Sequence, residues 1–140
     1  MQELHVSMLV VIGAGLARFF FGWFWFNPNV FGKAWIKTLG ISESKMKEGM
    51  GVGMVTYLLA SVLMSSLLVY AVKFGQMAHC LPEGLSGGLM GGFVYWLGFV
   101  ATVQMEVVVS EKRPLKWFLI TNGYNLAGMM IMGAILALYA

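Results

Sequence analysis

Residues 52–74 read VGMVTYLLASVLMSSLLVYAVKF, an apolar run whose one charged residue, Lys73, lies near its end. A helix needs about 20 such residues to cross the hydrocarbon core of a bilayer. Three similar runs accompany it, at residues 4–26, 85–109 and 115–138. All four are uniformly apolar and much longer than the ~10-residue alternating strands of a membrane β-barrel. The sequence therefore predicts an all-α membrane protein with four transmembrane helices in an antiparallel bundle.

The composition agrees with this prediction, since 59% of the 140 residues are hydrophobic and only 11% are charged. Soluble domains carry about 25% charged residues. We therefore exclude a soluble enzyme, a disordered chain and a nucleic-acid-binding module. The stretches between the runs are too short for a separate soluble domain, so residues 1–140 are expected to form a single membrane domain. Residues 4–26 lack the basic stretch that opens a signal peptide and are expected to be a true span.

Basic residues indicate the direction of the spans. Lys73 alone lies near the connection between the second and third spans. Because cytoplasmic loops are enriched in Lys and Arg, we expect the other two loops in the cytoplasm and both termini on the extracytoplasmic side. The basic loops are then expected to contact anionic lipid headgroups. These loops carry seven basic residues: Lys33, Lys37, Lys45, Lys47, Lys112, Arg113 and Lys116.

The first cytoplasmic loop, residues 27–51, contains an amphipathic pattern. Phe31, Trp35 and Leu39 recur every four residues, while Lys33 and Lys37 fall on another face. This pattern predicts a short interfacial helix, anchored by Phe31, Lys33, Trp35 and Lys37, in the headgroup layer. Two interpretations stay open: the helix only anchors the protein, or it forms a lid or partner-docking element over the cytoplasmic mouth. Ser42 is predicted to cap a second short polar helix.

A family resemblance rests on residues 23–35, WFWFNPNVFGKAW, with an aromatic pair, a proline and a Phe-Gly-Lys-x-Trp core. It continues at residues 96–102 (WLGFVAT), 116–120 (KWFLI), 122–124 (NGY) and 132–137 (MGAILA). On these residues the chain resembles the small membrane proteins of domain-of-unknown-function family 1761 over essentially its whole length. Phe26-Asn27 departs from the family, whose members often have Tyr and Ser there. The resemblance implies a four-helix protein of the bacterial inner membrane and no established activity.

Arg18 and Glu106 are the base and acid that lie well inside the predicted spans. At ~1.5 Å per residue they lie about 12 Å and about 5 Å from the cytoplasmic ends of their spans. Since intramembrane charges normally face the bundle and find partners, we expect an interaction between them, direct or through water. Helical spacing also places Glu106 on one face with Gly84, Gly88, Gly92, Tyr95, Phe99 and Thr102. The candidate polar site comprises Arg18, Glu106, Asn122, Asn125 and Thr102.

Three interpretations of this site stay open: a buried network that fixes helix register, a cytoplasm-facing polar cavity, and a proton-coupled Glu106. The cavity would bind a small anion, a metabolite or a lipid headgroup. His5, His79 and Cys80 map near the outer face without the HxxxH or CxxC spacing typical of metal or haem sites. No nucleophile or phosphate-loop motif occurs either. We expect no metal, no cofactor and no enzyme activity.

Two functions are compatible with this sequence. The first is an oligomeric channel- or transporter-like protein with a cytoplasm-facing polar vestibule around Arg18 and Glu106. Four short helices enclose little volume, so a homo-oligomer is expected, and the glycine-lined faces suit helix association. The alternative is a non-transporting accessory, scaffold or lipid-binding membrane protein. In both cases the expected partners include membrane lipids.

Overall fold

The computed structural model describes residues 4–140, and that part of the chain contains helices and no strand. Four helical segments are long and apolar enough to cross a membrane, which confirms the all-α prediction with four candidate spans. The helices are α1 (Met8–Trp25), α2 (Lys33–Leu39), α3 (Glu43–Glu48), α4 (Met50–Met77), α5 (Gly84–Trp96), α6 (Thr102–Ser110) and α7 (Leu115–Tyr139). The candidate spans are α1, α4, the α5–α6 pair and α7.

The span ends follow from local capping. α1 begins at Met8, four residues later than its apolar run, and the Ser7 side chain accepts a hydrogen bond from the Val10 amide (3.5 Å). Such a cap satisfies one of the free amides at a helix start. At the other end, the Asn27 side chain accepts from the Asn29 amide (2.9 Å) and Pro28 begins a short π-helical turn. α1 thus ends at Trp25, directly before this turn.

The first loop contains the two short helices that the sequence predicts. α2 ends at Gly40, whose φ of 69° is in the left-handed region that glycine tolerates. The Ser42 hydroxyl accepts from the Lys45 amide (3.3 Å) at the start of α3, which confirms the predicted cap. α2 packs against α7, so the loop folds back onto the bundle.

Close contacts align α1 with α4. The Ser65 hydroxyl donates to the Val11 carbonyl (2.7 Å), and a Cβ on Gly15 would lie 2.9 Å from the Val62 Cα. Residue numbers therefore fall along α4 as they rise along α1. The core beside these contacts is made of apolar side chains, among them Val11, Ala14, Val69, Val72, Met132 and Leu136.

Glycines bring α5 and α7 together. A Cβ on Gly88 would overlap the Gly133 carbonyl, and a Cβ on Gly92 would overlap the Met129 carbonyl. The residue numbers of these pairs again run in opposite directions. Small residues of this kind let two helix backbones approach closely, as is common between membrane helices.

A π-helical turn at Leu97–Ala101 divides the third span into α5 and α6. This turn contains one more residue than a turn of α-helix. The side chains that follow it therefore point in a different direction from the one an unbroken α-helix would give them. Gly92 is buried before the turn, but Phe99 is 73% exposed and Ala101 is only 7% exposed. The predicted single face from Gly84 to Glu106 is therefore interrupted, and this changes the site.

Candidate functional site

Arg18 lies in the interior of the bundle, with 4% of its surface exposed. Its Nη1 donates to the Ser61 hydroxyl of α4 at 2.6 Å, and its Nη2 donates to the Asn125 side-chain carbonyl of α7 at 3.1 Å. One side chain therefore connects three candidate spans. Arg18 is seven residues before the end of α1, which places it about 10 Å from that end of the helix.

Tyr124 covers one side of the guanidinium. The Arg18 Cζ lies 4.7 Å from the Tyr124 ring centroid, a distance at which a cation is attracted to the ring face. The Tyr124 hydroxyl also donates to the Arg18 backbone carbonyl at 3.3 Å. Glycines leave the room for both groups, since a Cβ would come within 3.0 Å of the Arg18 stem at Gly128 and within 2.8 Å of the Tyr124 hydroxyl at Gly22. Arg18, Ser61, Tyr124 and Asn125 together form the Arg18 cluster.

The Arg18 cluster contains no carboxylate. Within residues 4–140 the structure records an ion pair between Arg113 and Glu111 (3.2 Å) and none to Arg18. The buried Arg18 Nε also has no hydrogen-bond partner. A buried charge is costly unless it is paired and hydrogen-bonded. Arg18 is therefore a desolvated cation held by neutral acceptors, and its Nε has no hydrogen-bond partner.

Glu106, the expected partner of Arg18, is not part of this cluster. It is exposed on α6, whereas the guanidinium binds Ser61 and Asn125. The correction follows from the π-helical turn at Leu97–Ala101, because the extra residue rotates Glu106 off the face that carries Gly88 and Gly92. A sequence reading at uniform helical spacing cannot detect that turn.

Of the other three predicted site residues, one forms a hydrogen bond with Arg18 and two do not. Asn125 contacts Arg18, but Thr102 is exposed and donates to the Gly98 carbonyl (2.8 Å) of its own helical segment. Asn122 is buried: its side-chain NH₂ donates to the Phe118 carbonyl (3.2 Å) and its Oδ1 has no partner. Asn122 is thus an under-satisfied polar group of α7 that takes no part in the Arg18 hydrogen bonds.

Aromatic rings lie on the side of the cluster that faces α2. Phe26 lies 5.2 Å from Tyr124, 4.8 Å from Trp35 and 6.4 Å from Tyr57, measured between ring centroids. Phe31 lies 4.4 Å from Trp25, whose indole donates to the Ile120 carbonyl (3.0 Å). Phe26, Phe31, Trp35 and Tyr57 together form the aromatic cap.

The four predicted anchor residues of the first loop have two environments. Phe31 and Trp35 contact aromatic residues at the end of α1, and the Trp35 indole nitrogen is buried without a partner. Lys33 and Lys37 are exposed. The apolar face of α2 therefore contacts the protein itself, at least in part.

Near the opposite end, His79 and Cys80 line a cleft of about 450 Å³. The His5 carbonyl accepts a hydrogen bond from Lys73 Nζ (2.6 Å). In the described part of the chain, no three His, Cys, Asp or Glu side chains come close enough together to hold a metal ion.

The fold and the Arg18 cluster define a class: a small, apolar, all-helical protein with four candidate membrane spans around a buried arginine. The family model described as "Protein of unknown function (DUF1761)" matches residues 9–137. The chain therefore belongs to this family, as its residue pattern indicated. No curated protein and no solved structure matches the chain.

Proposed function

We propose that this protein is an oligomeric, transporter-like protein of the bacterial inner membrane that binds a small anion or metabolite at Arg18. Its four spans form an antiparallel bundle with both termini on the extracytoplasmic side. The observation that carries the proposal is the buried Arg18 guanidinium, which has neutral acceptors and no carboxylate beside it in the described residues.

The energetics of the membrane interior support this assignment. An arginine near the middle of a transmembrane helix costs about 2.5–3.5 kcal/mol on insertion scales, and such residues commonly mark substrate or ion pathways. Ser61 and Asn125 offset part of this cost through hydrogen bonds but supply no negative charge. An anion next to Nε would supply both the missing charge and the missing acceptor.

The aromatic cap supports a closed state of such a site. Phe26 packs against Tyr124 of the Arg18 cluster and against Trp35 of α2. In place of an open vestibule, we propose a site that is covered on the cytoplasmic side and opens when α2 moves away from α1. Loops of this kind gate access in many binding proteins. The seven basic residues in the two loops on this side support its cytoplasmic assignment.

A homo-oligomer fits this proposal. The glycines of α5 and α7 are used within the chain, since Gly88 and Gly92 pack directly on α7. At Gly13, Gly53 and Gly98 a Cβ would meet no atom within 4 Å, so their helix faces have room for a second copy. Open small-residue faces suit close helix association in membranes.

Reconstitution into liposomes tests the function. The full chain is reconstituted and the uptake of chloride and of inorganic phosphate is measured against protein-free liposomes. We expect flux of at least one anion, and its loss in Arg18→Gln because the variant lacks the binding charge. Arg113→Gln, which removes one charge from an exposed surface pair, is the matched control and keeps the flux. Circular dichroism and gel filtration establish that both variants fold.

The second candidate is a non-transporting accessory, scaffold or lipid-binding protein. It is favoured by the tight enclosure of Arg18, whose Nη1 and Nη2 are already bonded to two other spans. In this second candidate, the hydrogen bonds of Arg18 to Ser61 and Asn125 fix the register of the helices and bind no ligand. In that case sealed liposomes pass neither chloride nor phosphate, while Arg18→Gln lowers the unfolding temperature. This result contradicts the transport proposal.

A further inference from the structure

A cleft of about 480 Å³ lies between the first loop and the start of α7, and no residue of the Arg18 cluster lines it. Three lysines line it, two from α2 and one from α7. Its other lining residues include two isoleucines and one acid. Lys33, Lys37, Lys116, Ile36, Ile41 and Glu43 together form the lysine cleft.

The fold brings these lysines together from distant parts of the sequence. Lys33 and Lys37 are four residues apart on α2, so they share one helix face. Lys116 is the second residue of α7, and α2 packs against α7. The start of α7 adds positive character, because its cap residue Pro114 makes no side-chain hydrogen bond and its first turn contains no acid.

The three ammonium groups are available to a ligand. Among the described residues, the recorded lysine side-chain hydrogen bond belongs to Lys73 and the recorded ion pair joins Arg113 to Glu111. Neither involves a lysine of the cleft. Glu43 lines the same cleft without forming an ion pair to Lys33, Lys37 or Lys116. Three cations against one carboxylate leave the lysine cleft with a net positive charge.

We propose that the lysine cleft binds a phosphate ester, and that its source is the headgroup of an anionic phospholipid. Lys116 stands at the beginning of a candidate span, which is the depth of lipid headgroups. Ile36 and Ile41 give the cleft an apolar wall that suits the glycerol and upper acyl chain of a lipid. Lysines in basic pockets at membrane surfaces attract anionic headgroups.

Native mass spectrometry of the full chain in detergent tests this site with phosphatidylglycerol, phosphatidylcholine and inorganic phosphate as probes. We expect wild-type protein to retain phosphatidylglycerol in preference to phosphatidylcholine. The triple variant Lys33→Gln, Lys37→Gln, Lys116→Gln loses this retention, by about fivefold for each lysine removed. The matched control Lys45→Gln, Lys47→Gln, Lys112→Gln removes the same charge from exposed positions outside the cleft and keeps the retention.

Two results overturn the proposal. Equal loss in the triple variant and its control shows a diffuse charge effect instead of a site. Displacement of bound lipid by equimolar inorganic phosphate shows that a soluble phosphate is the ligand. If the triple variant does not fold, the single Lys116→Gln replaces it and must still lower retention about fivefold. None of these variants touches the Arg18 cluster, so either proposal can fail alone.

Discussion

Gly92 lacks the side chain that would keep α5 and α7 apart. A Cβ at this position would overlap the Met129 carbonyl, and backbone atoms cannot rotate away as a flexible side chain can. Gly13 of α1 is the opposite case, because a Cβ there would meet nothing within 4 Å. The two glycines therefore have different structural roles.

We expect Gly92→Ala to lower the free energy of unfolding by about 1–3 kcal/mol, since the two helices must separate to accept the methyl group. Gly13→Ala, the matched control, should leave stability unchanged or raise it by about 0.5–1 kcal/mol through helix propensity. Denaturant unfolding in detergent, followed by circular dichroism, measures both. Equal effects of the two substitutions would contradict the close α5–α7 packing.

At the scale of single residues, only part of the candidate site could be predicted from the sequence. Arg18 and Asn125 stand out because polar groups are rare inside apolar spans, and the structure brings them together. Tyr124 does not stand out, because aromatic residues are frequent throughout this chain. Its stacking on Arg18 depends on the tertiary approach of α1 and α7, which local pattern does not encode.

At the scale of single elements, α2 could also be predicted only in part from the sequence. The spacing of its aromatic and basic residues predicts a short amphipathic helix, and a helix is present at Lys33–Leu39. The pattern does not specify which surface the apolar face covers. Trp35 packs on Phe26 at the end of α1, so part of this face contacts the protein itself.

We expect Trp35→Ala to loosen α2 from the bundle, because it removes the ring contact with Phe26. Hydrogen exchange of residues 33–39 should then become faster while exchange in α4 and α7 stays slow. Lys37→Ala, an exposed position on the same helix, is the control and should leave exchange unchanged. Unchanged exchange in Trp35→Ala would contradict the role of α2 in the aromatic cap.

At the scale of the whole molecule, the four candidate spans could be predicted well because hydropathy accumulates residue by residue along each run. The structure gives them as Met8–Trp25, Met50–Met77, Gly84–Ser110 and Leu115–Tyr139. The paths of neighbouring spans depend on contacts between distant glycines and are not contained in any one run. The assignment of each loop to one side of the membrane depends on the number of lysine and arginine residues in that loop.

Cys80, the single cysteine of the chain, provides a test of that orientation because it is exposed in the loop between the second and third spans. We expect a membrane-impermeant maleimide to label Cys80 in intact spheroplasts, since this loop is predicted to be extracytoplasmic. A Cys80→Ser, Lys45→Cys double variant carries the probe site in the first loop instead. It should react only after permeabilisation, and the reverse labelling pattern would contradict the orientation.

The π-helical turn at Leu97–Ala101 acts as a one-residue insertion in an otherwise regular helix. The two halves of the third span therefore keep separate registers: the glycines of α5 stay aligned with α7, while α6 is turned by about 100° relative to an unbroken helix. A one-residue deletion within this turn would restore a continuous α-helix. It would leave the α5–α7 contact in place and still keep Glu106 off the face of Gly92, because it shortens the spacing between these two residues from 14 to 13.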